Sequence, residues 1–217
     1  MAVRQVSNHG RNVIGHFPSL KMERMVAFES SLERDYLYLL DYDPKVEWFE
    51  EQPLTLEYRH EGQTYHYTPD FHVIHSQGHI LVECKTSKFV DRAKNQRKFQ
   101  TGRAWCAERS WEFRVVTEQQ IRAGFRLRNI KLLRRYARYT IKPELSGRIY
   151  AWLHAAQSPV SIDDTVKALA PEASASVMAN ILPMAFRHEL FVPLDEAPLS
   201  GQTIINLSAR VRPGGQA

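Results

Sequence analysis

Apolar residues recur at helical spacing between Ser30 and Tyr42, where Leu32, Tyr36, Leu39 and Leu40 fall on one side of a 3.6-residue repeat. That pattern predicts an amphipathic helix. Asp43-Pro44 ends it, because proline cannot continue a helix and restricts the residue before it. The period then shortens to that of strands. Val46 to Phe49 and Leu54 to Tyr58 read as strands around Gln52-Pro53, and Gln63 to Thr68 follows the Glu61-Gly62 turn. Asp70 to His75 and His79 to Lys85 form a predicted hairpin across Ser76-Gln77-Gly78. Helix formers with a charged face run from Phe89 to Ser110, and Trp111 to Thr117 alternates as a strand. Helix resumes at about Glu118 and again over the basic segment Asn129 to Tyr139. This order predicts an α/β fold: a mixed sheet with helices on its faces.

Pro143 marks the expected end of that domain. Beyond it, 145–156, 162–169 and 173–188 read as helices, and 190–193 and 203–207 as strands flanking a loop with Pro198 and Gly201. Three short helices followed by a hairpin is winged-helix order. The expected division is an N-terminal arm over 1–20, a main domain over 21–142, a winged-helix-like domain over 143–208 and a disordered tail over 209–217.

Composition narrows the classes. With 217 residues, 43% hydrophobic and 24% charged, the chain suffices for one large domain or two modest ones. No apolar run approaches the roughly 18 residues of a membrane span. The N-terminus lacks the apolar core of a secretory signal, so the expected location is the cytoplasm, without membrane partners. Cys84 and Cys106 are the only cysteines, which excludes a disulfide framework and a four-cysteine zinc site. A net charge of +5 says little by itself; its distribution says more. Residues 119–142 hold eight lysines and arginines and no acid, and Asp91 is the only acid in the basic stretch 85–103. Acidic residues gather instead between Glu23 and Glu61. Such a split fits a polyanion partner beside a carboxylate-rich site.

The chemistry centres on Pro69-Asp70 and Glu83-Cys84-Lys85. On a strand, Glu83 and Lys85 share one face while Val82 and Cys84 take the other, and a hairpin can bring Asp70 alongside Glu83. Two carboxylates there make a hard oxygen site suited to Mg²⁺, which keeps waters and a phosphate oxygen as further ligands. Lys85 would orient a water or stabilise charge at phosphorus. The motif is short and equally describes a surface Glu-Lys pair; its context is the apolar Ile80-Leu81-Val82 before it and a basic helix after it. Glu33 is a third carboxylate, but Ser30-Ser31-Leu32-Glu33 also matches a capping box, and both roles stay open. Glu29, four residues earlier, can share its face. The histidines His60, His66, His72, His75 and His79 fit no common structural zinc spacing and read as solvated strand residues. Lys88, Arg92, Lys94, Arg97 and Lys98 read as phosphate contacts, because like charges four residues apart repel without an anion. Arg126 to Arg138 suits either DNA or a protein partner.

The runs SSLERDYLYLLDYDPKVEWFEEQPLTLEY, YTPDFHV and LVECKTS, in that order, resemble the N-terminal nuclease domain of the TnsA family, over roughly residues 20–120. TnsA proteins are endonuclease subunits of Tn-seven-type heteromeric transposases. The resemblance implies a restriction-endonuclease-like fold, with Glu33, Asp70, Glu83 and Lys85 as catalytic residues. Glu33, Asp70 and Glu83 would hold one or two Mg²⁺ ions per site, which Mn²⁺ can replace. Some relatives carry glutamine at the position of Glu83. Gln52 also matches the family pattern and reads as structural support for the site. The implied activity is cleavage of the 5′ strands of double-stranded DNA at transposon ends, together with a TnsB-type transposase and a TnsC-type AAA+ ATPase, in association with the nucleoid. The C-terminal region resembles the family's winged-helix-like domain more weakly. Its third helix has few basic residues besides Arg187, which favours protein docking over base reading. Two other functions stay open: a stand-alone restriction or repair nuclease, and a non-catalytic DNA-binding adaptor on a nuclease scaffold.

Overall fold

A computed structural model describes residues 13–156, 158–169 and 174–208, and the chain divides into two units, Met1–Ala123 and Gly124–Ala217. The first begins with strands β1 (Gly15–Pro18) and β2 (Met25–Phe28), paired antiparallel. The expected arm thus holds a strand within its described part; residues 1–12 lie outside the described residues. Its anchor is distant in sequence, which is why local periodicity misses it. The buried Asp41 carboxylate accepts from the Ser19 hydroxyl at 2.6 Å and from the Leu20 and Lys21 amides at 2.9 and 3.0 Å.

Helix α1 (Ser31–Tyr42) forms where its apolar spacing predicts. Its buried stripe takes Leu32, Tyr36, Leu37 and Leu40, so Leu37 rather than Leu39 fills the core. Strands β3 (Val46–Glu51), β4 (Leu56–His60), β5 (Gln63–Tyr67), β6 (Phe71–His75) and β7 (Gly78–Cys84) follow. Strands β4 and β5 make a separate hairpin, whose two loop residues, Glu61 and Gly62, both have positive φ. Such loops match the twist of paired strands. After a 3-10 turn at Ser87–Phe89 come α2 (Ala93–Ala107), β8 (Glu112–Val116) and the short α3 (Glu118–Ile121). The predicted helix from Phe89 therefore starts four residues later.

The sheet order is β3-β6-β7-β8, antiparallel except for the parallel pair β7-β8. This is the expected mixed α/β sheet, and it places β7 in the middle. Neighbours on both sides of the sheet explain why Ile80 to Cys84 are all buried. Leu81 packs with Leu56, Tyr67 and Cys106, joining β7 to the β4-β5 hairpin and α2.

Helix α2 turns Phe99, Gly102 and Cys106 inward. A Cβ on Gly102 would lie 2.3 Å from Phe113 Cε2 and 2.6 Å from Cδ2. Gly102→Ala is therefore expected to destabilise the unit by about 1–3 kcal/mol through overpacking, although alanine is the better helix former by about 1 kcal/mol. Chemical denaturation checks the sign.

The second unit holds α4 (Arg126–Arg134), α5 (Pro143–Ala155), β9 (Val160–Ser161), α6 (Ile162–Leu169), α7 (Ser174–Phe186), β10 (Leu190–Phe191) and β11 (Ile204–Leu207). Its sheet order is β10-β11-β9. Its start at Gly124 differs from the expected boundary at Pro143, and the reason is Asn129. That side chain, 1% exposed, donates to the Leu194 and Ala197 carbonyls at 2.8 and 2.7 Å and accepts from the Leu199 amide at 2.9 Å. Three bonds to one distant loop tie α4 to the second unit, while the expected break at Pro143 placed its arginines in the first. The expected tail over 209–217 lies outside the described residues. Among the described residues, no helix is long and apolar enough to cross a membrane.

Candidate active site

The end of β7 carries the chemistry. The Asp70 amide donates to the Val82 carbonyl at 3.0 Å, and the Asp70 carboxylate accepts from the Cys84 amide at 2.6 Å. Two bonds from one residue thus hold Asp70 against β7 beside Glu83. Glu83, 3% exposed, meets the Lys85 ammonium through Oε1 at 2.6 Å and accepts from the Tyr67 hydroxyl through Oε2 at 2.8 Å. The Lys85 amide itself donates to Val116 on β8 at 2.9 Å, extending the parallel pairing past the end of β7.

Glu33 performs the cap role. The Ser30 hydroxyl accepts from its amide at 3.1 Å, and its carboxylate takes the Ser30 hydroxyl and the Glu29 amide, each at 2.7 Å. It is nevertheless near enough to the other acids for their charges to act on it. Burial pushes the Glu33 carboxyl up; the Glu29 amide and Ser30 hydroxyl oppose this, while the Glu29 and Glu83 charges add to it. Asp70 is driven well above the usual carboxylate range, first by removal from water and then by Glu83 and Glu33, against the pull of Lys85 and the Cys84 amide. Burial disfavours the Lys85 ammonium, but Glu83, Asp70 and Glu33 together hold its pKa above the ordinary lysine value. Three acids and one amine share one electrostatic environment.

Gln52 links two parts of this site. Its amide donates to the Asp70 carbonyl at 2.8 Å, and its side-chain Nε2 donates to Glu29 at 3.0 Å. It does so from a left-handed backbone, φ +45°, and its buried Oε1 has no partner among the described residues. Such a conformation costs a non-glycine residue free energy and persists only where its surroundings hold it.

The five cations expected along the DNA path divide. Lys88 and Arg92 are exposed and lie 4.8 and 4.2 Å from the Phe89 ring centre; Lys94 is exposed as well. Arg97 is half-buried. Lys98 belongs with the acids: its ammonium lies 5.4 Å from the centre of the Tyr67 ring. Burial lowers its pKa, with Lys85 and Lys94 adding to the effect and Glu83 and Asp70 opposing it. Sequence reasoning assigned no role to Tyr67, although it stands three residues before Asp70 in the run that carries the resemblance. Only the separate β4-β5 hairpin brings its hydroxyl to Glu83.

The histidine expectation needs correction. His72 is buried rather than solvated; its Nε2 lies 2.9 Å from His79 Nδ1, and both rings stack on Trp111 at 4.4 and 4.6 Å. Burial, and the neighbouring His79, pull the His72 pKa down to about 4. The pair is a packed aromatic stack.

Among the described residues, no three histidine, cysteine or acidic side chains are gathered as a ready metal-holding group. The partners explain this: Glu33 is turned to its cap, Asp70 to the Cys84 amide, and Glu83 to Lys85 and Tyr67. The donor chemistry still fits a hard divalent cation. A carboxylate offers about four lone-pair sites, so each acid retains acceptor capacity, and the carboxyls of Asp70 and Glu33 are raised first by burial and then by neighbouring acids, both of which a cation offsets. A cavity of 490 Å³ in the second unit is lined by Arg128, Lys131, Arg135 and apolar residues including Leu127 and Leu199, with no carboxylate, so it holds no hydrolytic set.

No curated protein was found to match the chain. Residues 43–118 match the family model described as TnsA-like endonuclease N terminal, a stretch that contains Asp70, Glu83, Lys85 and the cations of α2 and leaves Glu33 just outside. The part of the chain that places those residues is thus similar to the N-terminal domain of TnsA-like endonucleases.

Proposed function

We propose that the chain is a divalent-metal-dependent DNA endonuclease, the subunit of a heteromeric transposase that cleaves the 5′, non-transferred strands at transposon ends. One observation carries this reading: within a TnsA-like domain, Asp70 is fastened to the strand end that presents Glu83 and Lys85, and Glu33 is electrostatically coupled to both acids. Glu33, Asp70 and Glu83 would hold Mg²⁺ or Mn²⁺. The ion, when bound, supplies a water of lowered pKa and offsets charge on the phosphate. Glu83 aims the Lys85 ammonium, whose raised pKa keeps it charged at neutral pH. Lys85 then stabilises the added negative charge as water oxygen joins phosphorus and a P–O bond breaks. Lys88, Arg92, Lys94 and Arg97 contact flanking phosphates.

A TnsB-type transposase for the 3′ ends and a TnsC-type ATPase are the proposed partners. The second unit has a helix, strand, helix, helix, strand, strand order from α5 to β11, which supports a winged-helix-like role in docking. Arg128, Lys131 and Arg135 then supply a cationic surface for that partner or for DNA.

The test is strand-specific mapping of donor-DNA breaks with both partners present. Asp70→Ala is expected to abolish 5′-strand breaks while 3′-strand breaks and complex assembly persist. Unchanged double-strand excision would refute the assignment. A second reading, the non-catalytic adaptor, is favoured by the acids' engagement with protein donors. It predicts no heat on titrating Mg²⁺ into the chain, whereas the nuclease reading predicts a signal that Asp70→Ala removes.

A further inference from the structure

Glu83 is held at both oxygens, and only one of its holders has a role so far. Tyr67 is 2% exposed, so its hydroxyl has little water to turn to, and it donates to Glu83 Oε2 at 2.8 Å. The other oxygen belongs to Lys85 at 2.6 Å. One donor on each oxygen locks the carboxylate plane and leaves each oxygen a further lone pair. The face of the same tyrosine ring meets Lys98. Tyr67 thus joins an acid on β7 to a cation on α2 through two different chemistries, a hydrogen bond from its hydroxyl and a cation–π contact from its ring.

Charge shows what the second cation is for. With the acids ionised, Glu33, Asp70 and Glu83 carry three negative charges against two positive ones on Lys85 and Lys98. One bound divalent ion turns that net single negative charge into a net single positive one, the match for one phosphodiester. A second divalent ion would leave a surplus. Without Lys98, the site would carry one positive charge fewer beside Glu83 and Asp70.

We infer that Tyr67 is a positioning residue that fixes Glu83 for a divalent ion, and that its ring seats Lys98 as a second ammonium group on the phosphate being cut. This inference rests on the nuclease reading and adds two residues to it. Outer hydrogen-bond partners of metal ligands commonly contribute 10–100-fold in metal affinity. Losing one phosphate-contacting lysine reduces the salt dependence of DNA binding by about one unit of slope.

The full-length chain would be titrated with MgCl₂ and MnCl₂ by calorimetry. It would also be titrated with a fluorescent DNA duplex in Ca²⁺, a non-cleaving ion, over a range of salt concentrations. Tyr67→Phe is expected to weaken divalent binding about tenfold and, because it takes one donor from a buried carboxylate, to lower the thermal midpoint by a few degrees while folding stays cooperative. Lys98→Gln is expected to leave divalent affinity within about twofold, to weaken duplex binding, and to lower the salt slope by about one; Lys98→Arg should restore the slope. Divalent affinity unchanged in Tyr67→Phe, or a slope unchanged in Lys98→Gln, overturns the inference. Asp70→Ala separates the two levels. If it also binds Mg²⁺ like wild type, the nuclease reading has failed; if it loses binding while Tyr67→Phe keeps it, only the inference has failed.

Discussion

Lys85→Ala is expected to lower 5′-strand cleavage by roughly 10²–10³-fold, the usual effect of deleting one group aimed at charge that develops in a transition state. The ammonium lies 2.6 Å from Glu83 and is only 24% exposed, so water cannot take its place without a gap. Its removal also leaves Glu83 buried without its cation. Because burial of a charge is tolerated only with a partner, some loss of stability should accompany the loss of activity. Lys85→Arg separates the two effects. Arginine keeps the charge and the ion pair but replaces a compact point charge with a planar fork. It should recover stability and much of the DNA affinity, but only part of the rate. End-labelled donor DNA with both partners present reads the rate, and thermal melts read the stability. Cleavage by Lys85→Ala within tenfold of wild type would remove Lys85 from the catalytic set.

The second large effect is on stability, and its sign follows from Asp70. Without divalent ions its folded pKa lies well above the unfolded value of about 3.9. The folded state therefore binds the proton more tightly. Its stabilising contribution is complete below the unfolded pKa and disappears as pH rises through the folded one. Glu33 acts in the same direction. Glu51 acts in the opposite one. Burial raises its carboxyl, but bonds from Arg24 and the Ala27 amide more than offset this, so its contribution is present above the unfolded pKa and fades as pH falls through its lowered folded pKa. A difference measurement isolates Asp70. In chelator, Asp70→Asn should melt higher than wild type, and the gap should open from about pH 4 upward. Several degrees are expected, since about 1 kcal/mol moves the midpoint of a ~100-residue domain by roughly 4–8 °C. Added Mg²⁺ should reverse the order. An ion at a hundred times its Kd contributes about 2.7 kcal/mol to the wild type, and Asp70→Asn should gain little. A variant that melts below wild type at pH 8 in chelator would show that the carboxylate is not in conflict with its neighbours.

Much of the fold was legible because it is written locally. The α1 stripe, the Glu61-Gly62 turn and the β6-β7 hairpin depend on residues within a few positions of one another. The motif residues Asp70, Glu83 and Lys85 were legible for the same reason, since strand alternation and one hairpin bring them together. Leu37 in place of Leu39 is a small local miss: helical spacing marks a face only to within about one position, and packing selects within it. The β1-β2 hairpin, anchored by Asp41, and the buried His72, stacked on Trp111, depended on partners about 20 to 40 residues away.

From the residues alone came the fold class, the order of elements, the acid-acid-lysine set and the resemblance that names its chemistry. Tertiary structure alone decided that Glu33 caps its own helix while sharing a field with Asp70 and Glu83. It also decided that α4 belongs to the second unit through Asn129, that Tyr67 reaches the site, and that Lys98 alone of the five expected cations lies over the Tyr67 ring. Periodicity encodes which way a side chain points relative to its neighbours along the chain. Which distant group it meets depends on how separate hairpins and helices pack, and that is set by the summed burial of many residues rather than by any motif.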